Sequence, residues 1–218
     1  MGSDSDCDYE YKRAEGEFKR TEGEFKRTED RGKIQGEDRS MGRLELIIGN
    51  MFSGKSPELI RRINREKSIK KKILVINFAG DNRYATNAVA THDQAKVNCL
   101  KVTKLEELNQ EFIKNYDSFF IDEGQFFKDL YDFTLKLVDV YKKHVVISGL
   151  DGDFNRNVFG DIIRLIPICD SVHKLTAYCN KCNDGTIAPF TKKISGGNTL
   201  IDIGGSSKYI PVCRYHFN

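Results

Sequence analysis

The sequence predicts an α/β fold in which a parallel sheet is covered by helices and followed by a small metal-binding region. Three observations predict it. Short apolar segments alternate with segments of helical periodicity, a glycine-rich motif lies between the first two, and Cys and His residues form two close pairs near the carboxyl terminus. Apolar strands separated by helices are typical of parallel sheets that are buried on both faces.

The hydrophobic pattern predicts individual elements in chain order. The predicted strands are 44–48, 73–78, 119–121 and 145–150, and the predicted helices are 57–67, 105–115 and 126–142. After about residue 170 the chain becomes richer in Gly, Thr, Lys and Cys. We therefore expect a low-complexity tail over 1–42, a P-loop domain over 43–170 and a zinc-stabilised module over 171–218.

The predicted tail contains a repeated heptapeptide. Glu-Gly-Glu-Phe-Lys-Arg-Thr occurs at 15–21 and again at 22–28. A segment of mixed charge with one Phe per repeat buries too little apolar surface to offset its conformational entropy. We expect a disordered tail rather than an interaction motif.

Composition and charge limit the classes of partner. The chain has 218 residues and a net charge of +3, which argues against nucleic acid as the main partner. No apolar stretch approaches the roughly 20 residues that span a bilayer, so we expect no membrane partner. The polar segment 1–10 is unlike a secretory signal, and the cysteines suggest reduced thiols and metal binding. These features predict a cytoplasmic protein.

The glycine-rich motif has the pattern G-x-x-x-x-G-K-[ST] between a predicted strand and a predicted helix. In such loops backbone N–H groups surround an anion, the Lys reaches the terminal phosphates and the Ser hydroxyl reaches Mg²⁺. Pro57, just after the motif, lacks an N–H, which predicts weaker nucleotide affinity, although proline is tolerated in a first helical turn. The residues predicted to bind ATP here are Gly49, Asn50, Met51, Phe52, Ser53, Gly54, Lys55 and Ser56.

Two carboxylates follow the strand predicted at 119–121. In a P-loop fold, Asp122 is placed to reach the Mg²⁺ shell, and Glu123 is placed to take a proton from an attacking hydroxyl. The same pair occurs in ATP hydrolases, where the Glu activates water. The identity of the phosphoryl acceptor, water or a small molecule, distinguishes the two.

The Cys and His pairs near the carboxyl terminus predict a tetrahedral zinc site. Cys179-x-x-Cys182 and Cys213-x-x-His216 supply four ligands, so all positions around the metal are filled by protein. A filled coordination shell indicates a structural zinc rather than a catalytic one.

These motifs together resemble the cellular-type thymidine kinases. The matching segments are 49–56, 81–84, 122–127, 150–154, 174–177, 203–205 and 208–209, in that order. The resemblance extends over roughly 43–217. It implies Mg²⁺-dependent transfer of the ATP γ-phosphoryl group to the 5′-hydroxyl of thymidine, with deoxyuridine as a further acceptor, in nucleotide salvage.

The resemblance also assigns roles to individual residues. It implies Glu123 as the catalytic base and a loop, the lasso, that closes over thymine and is anchored at both ends by the zinc site. It further implies a homotetramer that is inhibited by thymidine triphosphate (dTTP). The additional residues implied in ATP binding are Asp81, Asn82, Arg83, Asp122 and Gln125, and those implied in nucleoside binding are Phe154, Tyr209 and the lasso residues Leu200, Ile201, Asp202, Ile203 and Gly204.

Several positions depart from the family pattern. Asn50 stands where the family usually has proline, Pro57 where it usually has threonine, and Asp153 where many animal and viral members have threonine. Phe126 and Phe159 fit the core and the pocket equally well. Two alternatives to a thymidine kinase stay open from the motifs alone: a zinc-ribbon P-loop ATPase, and a nucleotide-binding module without turnover.

Overall fold

The computed structural model describes residues 41–80, 88–90, 96–196 and 205–218. Its parallel sheet has the strand order β5-β2-β6-β7-β1-β8. These strands are β1 (Arg43–Gly49), β2 (Ile73–Phe78), β5 (Leu100–Val102), β6 (Ser118–Ile121), β7 (His144–Gly149) and β8 (Ser171–Leu175). The predicted α/β fold is therefore confirmed.

The remaining elements lie around the sheet and after it. The helices are α1 (Lys55–Ser68), α2 (Gln110–Lys114), α3 (Leu130–Leu135) and α4 (Arg214–Phe217). The other strands are β3 (Ala88–Ala90), β4 (Lys96–Asn98), β9 (Ala177–Tyr178), β10 (Ile187–Ala188), β11 (Phe190–Lys193) and β12 (Tyr209–Val212), which pair antiparallel as β3–β4, β9–β10 and β11–β12.

Two predicted helices are shorter than the hydrophobic pattern indicated. The segment 105–115 forms a 3₁₀ turn and then α2, because the Asn109 side chain accepts a hydrogen bond from the N–H of Phe112 at 2.9 Å and caps a new helix. The segment 126–142 begins as helix only at Leu130, and a π-helical turn over Lys136–Val140 follows α3. Strands β5 and β8 were not predicted, since each is a short strand at a sheet edge with few buried side chains.

The strands pack apolar side chains on both faces of the sheet. Along β1, Leu46 and Ile48 join one cluster with the α3 side, whereas Ile47 joins the cluster that packs against α1. Successive side chains of a strand point to opposite faces. Burial of both faces explains why the predicted strands appear as continuous apolar runs.

A group of charged side chains lies between α1 and the sheet, and two of them, Glu45 and Arg62, are buried. We call it the α1 ion network, and its members are Arg43, Glu45, Glu58, Arg62, Glu66 and His144. Glu45 is central, because its carboxylate contacts the guanidinium groups of Arg43 and Arg62 and the Nε2 atom of His144. Charges removed from water are tolerated when they are paired in this way.

The region after residue 170 contributes to both the sheet and the metal site. Strand β8, the first element of the range 171–218 predicted as a separate module, pairs with β1 in the sheet. Residues 171–175 are thus part of the sheet, and the division into two domains at residue 170 stays a prediction. Among the described residues, every helix is too short or too polar to cross a membrane.

Candidate active site and metal centre

The phosphate-loop motif connects β1 to α1 at the carboxyl edge of the sheet. Gly49 has φ 153°, and a Cβ atom there would lie 2.2 Å from the carbonyl oxygen of Leu175 on the neighbouring strand β8. Only glycine permits this approach. Gly54 has the left-handed φ of 84° and precedes the first residue of α1, Lys55.

The Asn50–Met51 peptide lies at the centre of the loop. The carbonyl oxygen of Asn50 accepts hydrogen bonds from Lys55 Nζ at 2.7 Å and from Ser53 Oγ at 2.8 Å. On the other side of the same peptide, the N–H of Met51 donates to Thr191 Oγ1 at 3.0 Å. The Asn50 side chain is buried and its Nδ2 donates to the carbonyl oxygen of Phe190 at 3.3 Å. The loop is therefore held by β11 as well as by its own residues.

Pro57 lies inside the first turn of α1. The helix begins at Lys55, so Ser56 is helical despite the proline that follows it. The N–H groups of a first helical turn have no partner within the helix, so proline removes no intrahelical hydrogen bond there. This agrees with the interpretation that Pro57 is tolerated, and the weaker nucleotide affinity stays a prediction.

Asp122 and Glu123 follow β6 at the same carboxyl edge. Asp122 is buried, and its Oδ1 accepts a hydrogen bond from the N–H of Glu123 at 3.0 Å. Burial, together with the neighbouring charge of Glu123, raises the pKa of Asp122 to about 7, while the positive charge of Lys55 acts in the opposite direction. The electrostatic effect of Lys55 links the phosphate loop to the acidic strand end.

The backbone of Glu123 is in the left-handed region, with φ 54°. Non-glycine residues adopt this conformation rarely, and such strain clusters at functional sites. The carboxylate is held by Gln125, whose Nε2 donates to Glu123 Oε2 at 2.6 Å. The Gln125 Oε1 atom accepts from the N–H of Leu150 at 2.9 Å, which ties the acidic pair to the loop after β7.

The loop after β7 places the ring of Phe154 next to residues of β11 and β12. The ring of Phe154 lies 6.4 Å from the ring of Tyr209, measured between centroids, and Lys193 Nζ lies 5.0 Å from the Phe154 centroid.

A second aromatic group lies around Phe126. Its ring stacks on Phe78 with a centroid distance of 5.4 Å and packs edge to face with Phe159 at 5.5 Å. Phe159 is buried, whereas Phe126 and Phe154 are half-buried.

The four predicted zinc ligands converge at one point. His216 Nδ1 lies 3.7 Å from Cys179 Sγ and 3.4 Å from both Cys182 Sγ and Cys213 Sγ, and the last two sulfur atoms are 3.8 Å apart. Ligands about 2.3 Å from a tetrahedral zinc are separated by about 3.8 Å, so the cluster fits zinc.

The sulfur atoms of the cluster differ in their surroundings. Burial opposes ionisation of Cys179, but backbone N–H donors of Cys213, Cys182 and Lys181 outweigh it and lower the pKa of the thiol to about 6. For Cys182, burial and the neighbouring sulfurs raise the pKa to about 11. Zinc binding requires thiolates, and Cys179 supplies one readily.

Some predicted site residues lie outside the described part of the chain. These are Asp81, Asn82, Arg83, Leu200, Ile201, Asp202, Ile203 and Gly204. Conversely, sequence reasoning did not find Phe190, Thr191 or Lys193 as neighbours of the loop and the aromatic pair. No motif marks these positions, because their contacts depend on how β11 packs against a segment 140 residues earlier.

Comparison with known proteins identifies the family. The family model described as thymidine kinase matches residues 42–217. The chain is 41% identical to "Thymidine kinase" of Oryza sativa subsp. japonica, over 81% of this chain and 66% of the relative. It is 39% identical to "Thymidine kinase, cytosolic" of Gallus gallus, over 81% of this chain and 77% of the relative. It is 42% identical to "Thymidine kinase" of Monkeypox virus, over 79% of this chain and 95% of the relative. With its P-loop sheet and its Cys₃His cluster, this chain belongs to the thymidine kinase family.

Proposed function

We propose that this chain transfers the γ-phosphoryl group of ATP to the 5′-hydroxyl of thymidine, giving thymidine monophosphate for nucleotide salvage, with deoxyuridine as a further acceptor. Family membership supports the reaction class and thymidine as substrate. The observation that carries the proposal is the meeting of the phosphate loop and the Asp122–Glu123 pair at one edge of the sheet, where the charge of Lys55 acts on Asp122.

The phosphate loop is the proposed site of the ATP phosphates. Phosphoryl transfer depends mainly on positioning and on charge stabilisation. Backbone N–H groups of the loop and the amino end of α1 favour an anion there. Lys55 Nζ, which contacts the Asn50 carbonyl oxygen, is close enough to the loop to turn toward a bound phosphate.

Asp122 and Ser56 are the proposed holders of Mg²⁺. Asp122 fits a divalent cation, because burial and the charge of Glu123 raise its pKa and a nearby positive charge would stabilise the ionised carboxylate. Ser56 is proposed from its position in the phosphate-loop motif. When bound, Mg²⁺ neutralises charge that develops on the phosphate oxygens.

Glu123 is the proposed base that takes the proton of the 5′-hydroxyl. Its carboxylate is oriented by the amide of Gln125, and a fixed orientation is what proton transfer from a bound substrate requires. The same amide bonds the backbone of Leu150, so it couples the base to the loop that carries Phe154. Gln125 is a further proposed ATP-side residue, as are Asp81, Asn82 and Arg83, which lie outside the described residues.

Phe154 and Tyr209 are the proposed aromatic walls for the nucleoside. Their ring centroids lie 6.4 Å apart, so both rings can line the same nucleoside pocket. The lasso residues 200–204 are proposed to close over the nucleoside. The cluster of Cys179, Cys182, Cys213 and His216 is proposed to hold a structural zinc next to this region. Closure that excludes water would suppress ATP hydrolysis.

Three further properties are proposed from family membership. They are assembly into a homotetramer, feedback inhibition by dTTP at the nucleoside site, and a cytosolic location. A chicken relative is named as cytosolic. We propose neither a nucleic-acid partner nor a membrane partner for the chain, whose net charge is +3.

The test is a transfer assay with γ-labelled ATP and Mg²⁺, in which thymidine, deoxyuridine and buffer alone are compared as acceptors. We expect label in thymidine monophosphate and little free phosphate when no nucleoside is present. Release of labelled phosphate without labelled nucleotide would support the ATPase alternative. ATP binding without either product would indicate a module without turnover.

A further inference from the structure

Three consecutive residues of the phosphate loop contact the region that holds the zinc ligands. We call this region, residues 177–193 and 205–217, the zinc module. Asn50 and Met51 reach it by hydrogen bonds to Phe190 and Thr191, at 3.3 and 3.0 Å. The loop that is proposed to bind ATP is thus fixed by a part of the chain that has no phosphate motif of its own.

The third loop residue makes an apolar contact with the same module. Phe52 packs against the cluster that includes the zinc ligands Cys179 and Cys213. The backbone of Phe52 has φ 65°, a conformation that non-glycine residues adopt only when surrounding contacts favour it. Packing of the Phe52 ring on the zinc module supplies such a contact.

Strand β11 transmits the position of the zinc ligands to the loop. Phe190 pairs with Val212, the residue before the ligand Cys213. On the same strand, Lys192 Nζ donates to the carbonyl oxygens of His216 and Phe217, both at 2.9 Å. Thr191, which lies between them and is buried, is therefore held on a strand that, on both sides of it, contacts the segment carrying the second pair of zinc ligands.

The Asn50–Met51 peptide is the point where this contact affects phosphate binding. One peptide plane carries both the N–H that donates to Thr191 and the carbonyl oxygen that accepts from Lys55 Nζ. The Thr191 hydroxyl thus sets the orientation of the carbonyl oxygen that holds the Lys55 ammonium. The Asn50 Oδ1 atom is buried without a hydrogen-bond partner within the described residues, so the Nδ2 bond to Phe190 is the contact that fixes this side chain.

We propose that Asn50 and Thr191 are positioning residues through which zinc occupancy and ATP affinity are coupled. The inference rests on the proposed function, because it takes the loop as the site of the ATP phosphates. Coupling between two sites is reciprocal. Zinc in the module therefore tightens ATP binding, and ATP in the loop tightens zinc binding by the same factor.

The test uses the full zinc-loaded chain and two readouts that need no thymidine. The first readout is the dissociation constant of ATP, measured by calorimetry. The second is the affinity for zinc, measured by competition with a colorimetric chelator, with and without ATP. The variants are Thr191→Val, which keeps the shape but removes the acceptor, Thr191→Ser, which restores a hydroxyl, and Asn50→Ala. Thr103→Val is the control, since its hydroxyl bonds Glu107 instead.

We expect Thr191→Val to weaken ATP binding by about 5- to 20-fold, because the Met51 N–H loses its partner. ATP should tighten zinc binding by the wild type and by Thr191→Ser, but not by Thr191→Val. Asn50→Ala should weaken ATP binding by a smaller factor. Thr103→Val should behave as the wild type.

Two outcomes would overturn the inference. One is wild-type ATP affinity in both Thr191→Val and Asn50→Ala. The other is an affinity of the wild type for zinc that ATP does not change. Failure of thymidine phosphorylation with intact ATP and zinc coupling would contradict the proposed function alone.

Discussion

Carboxylates are buried in two regions of this molecule, and the regions differ in how those charges are matched. In the α1 ion network, Glu45 contacts two guanidinium groups and one imidazole. At the proposed active site, Asp122 and Glu123 are consecutive residues, and burial together with the charge of Glu123 raises the pKa of Asp122 to about 7. Loss of one partner from a matched buried pair destabilises the fold, whereas a carboxylate with a strongly perturbed pKa is typical of a functional site.

The largest expected effect sharpens the functional side of this comparison. Lys55→Met should lower kcat by about 10²- to 10³-fold, because it removes the positive charge proposed to face the transferred phosphoryl group. Steady-state transfer to thymidine measures it. Lys67→Met, at an exposed position in the last turn of α1, is the control and should keep wild-type kcat. Equal activity of both variants would remove Lys55 from the mechanism.

The next prediction concerns the carboxylate pair in metal-free protein. A carboxyl group whose folded pKa is raised binds protons more tightly in the native state, so stability falls as pH rises from about 4 to about 7. Asp122→Asn should abolish this loss and raise the unfolding free energy at pH 8 by on the order of 4 kcal/mol. Urea unfolding in EDTA at pH 5 and pH 8 measures it. A stability gain that is the same at both pH values would contradict the assignment.

The opposite result is expected in the α1 ion network. Arg62→Met removes a buried partner of Glu45 and Glu58 and should lower the unfolding free energy by about 3 kcal/mol, near the lower end for a broken buried pair, because Arg43 and His144 still contact Glu45. Urea unfolding at pH 7 measures the change. Exposed Arg65→Met should stay within about 0.5 kcal/mol of the wild type.

The smallest effect comes from the outer end of the same network. The hydrogen bond from Arg61 lowers the pKa of Glu58 to about 2, against the effect of burial and with help from Arg62. A lowered pKa gives stability that is present above the unfolded value of 4.5 and is lost as pH falls toward 2. Glu58→Gln should therefore cost under about 1 kcal/mol at pH 7 and nothing near pH 2. Thermal unfolding of the wild type and Glu58→Gln from pH 7 to pH 2 measures it. A difference in stability that persists near pH 2 would contradict the prediction.

The sequence predicted the central strands and the phosphate loop because both rest on local patterns. A continuous apolar run such as 73–78 is typical of a strand that is buried on both faces, so it can be recognised without knowing its neighbours. The four residues of the Cys₃His cluster were also predicted together, since their spacing is typical of zinc coordination. Helix ends were harder to predict, because the Asn109 cap interrupts a segment with continuous helical periodicity.

Contacts between distant segments could not be predicted from local patterns. The hydrogen bond from Met51 to Thr191 joins residues that carry no shared motif, and the α1 ion network joins α1 to the first residue of β7, His144. Such pairs depend on the register and packing of the folded sheet. Arg62 is buried in the structure and needs a partner there, but the sequence does not identify that partner.

The most direct test of the whole account compares two carboxylates in one experiment. Glu123→Gln and Glu66→Gln are each assayed for phosphoryl transfer to thymidine and for Tm. We predict that Glu123→Gln loses about 10²- to 10⁴-fold in transfer with a nearly unchanged Tm, and that Glu66→Gln, which alters the contact with His144, keeps its transfer rate at a lower Tm. Wild-type transfer by Glu123→Gln would contradict the assignment of the base and, with it, the central claim.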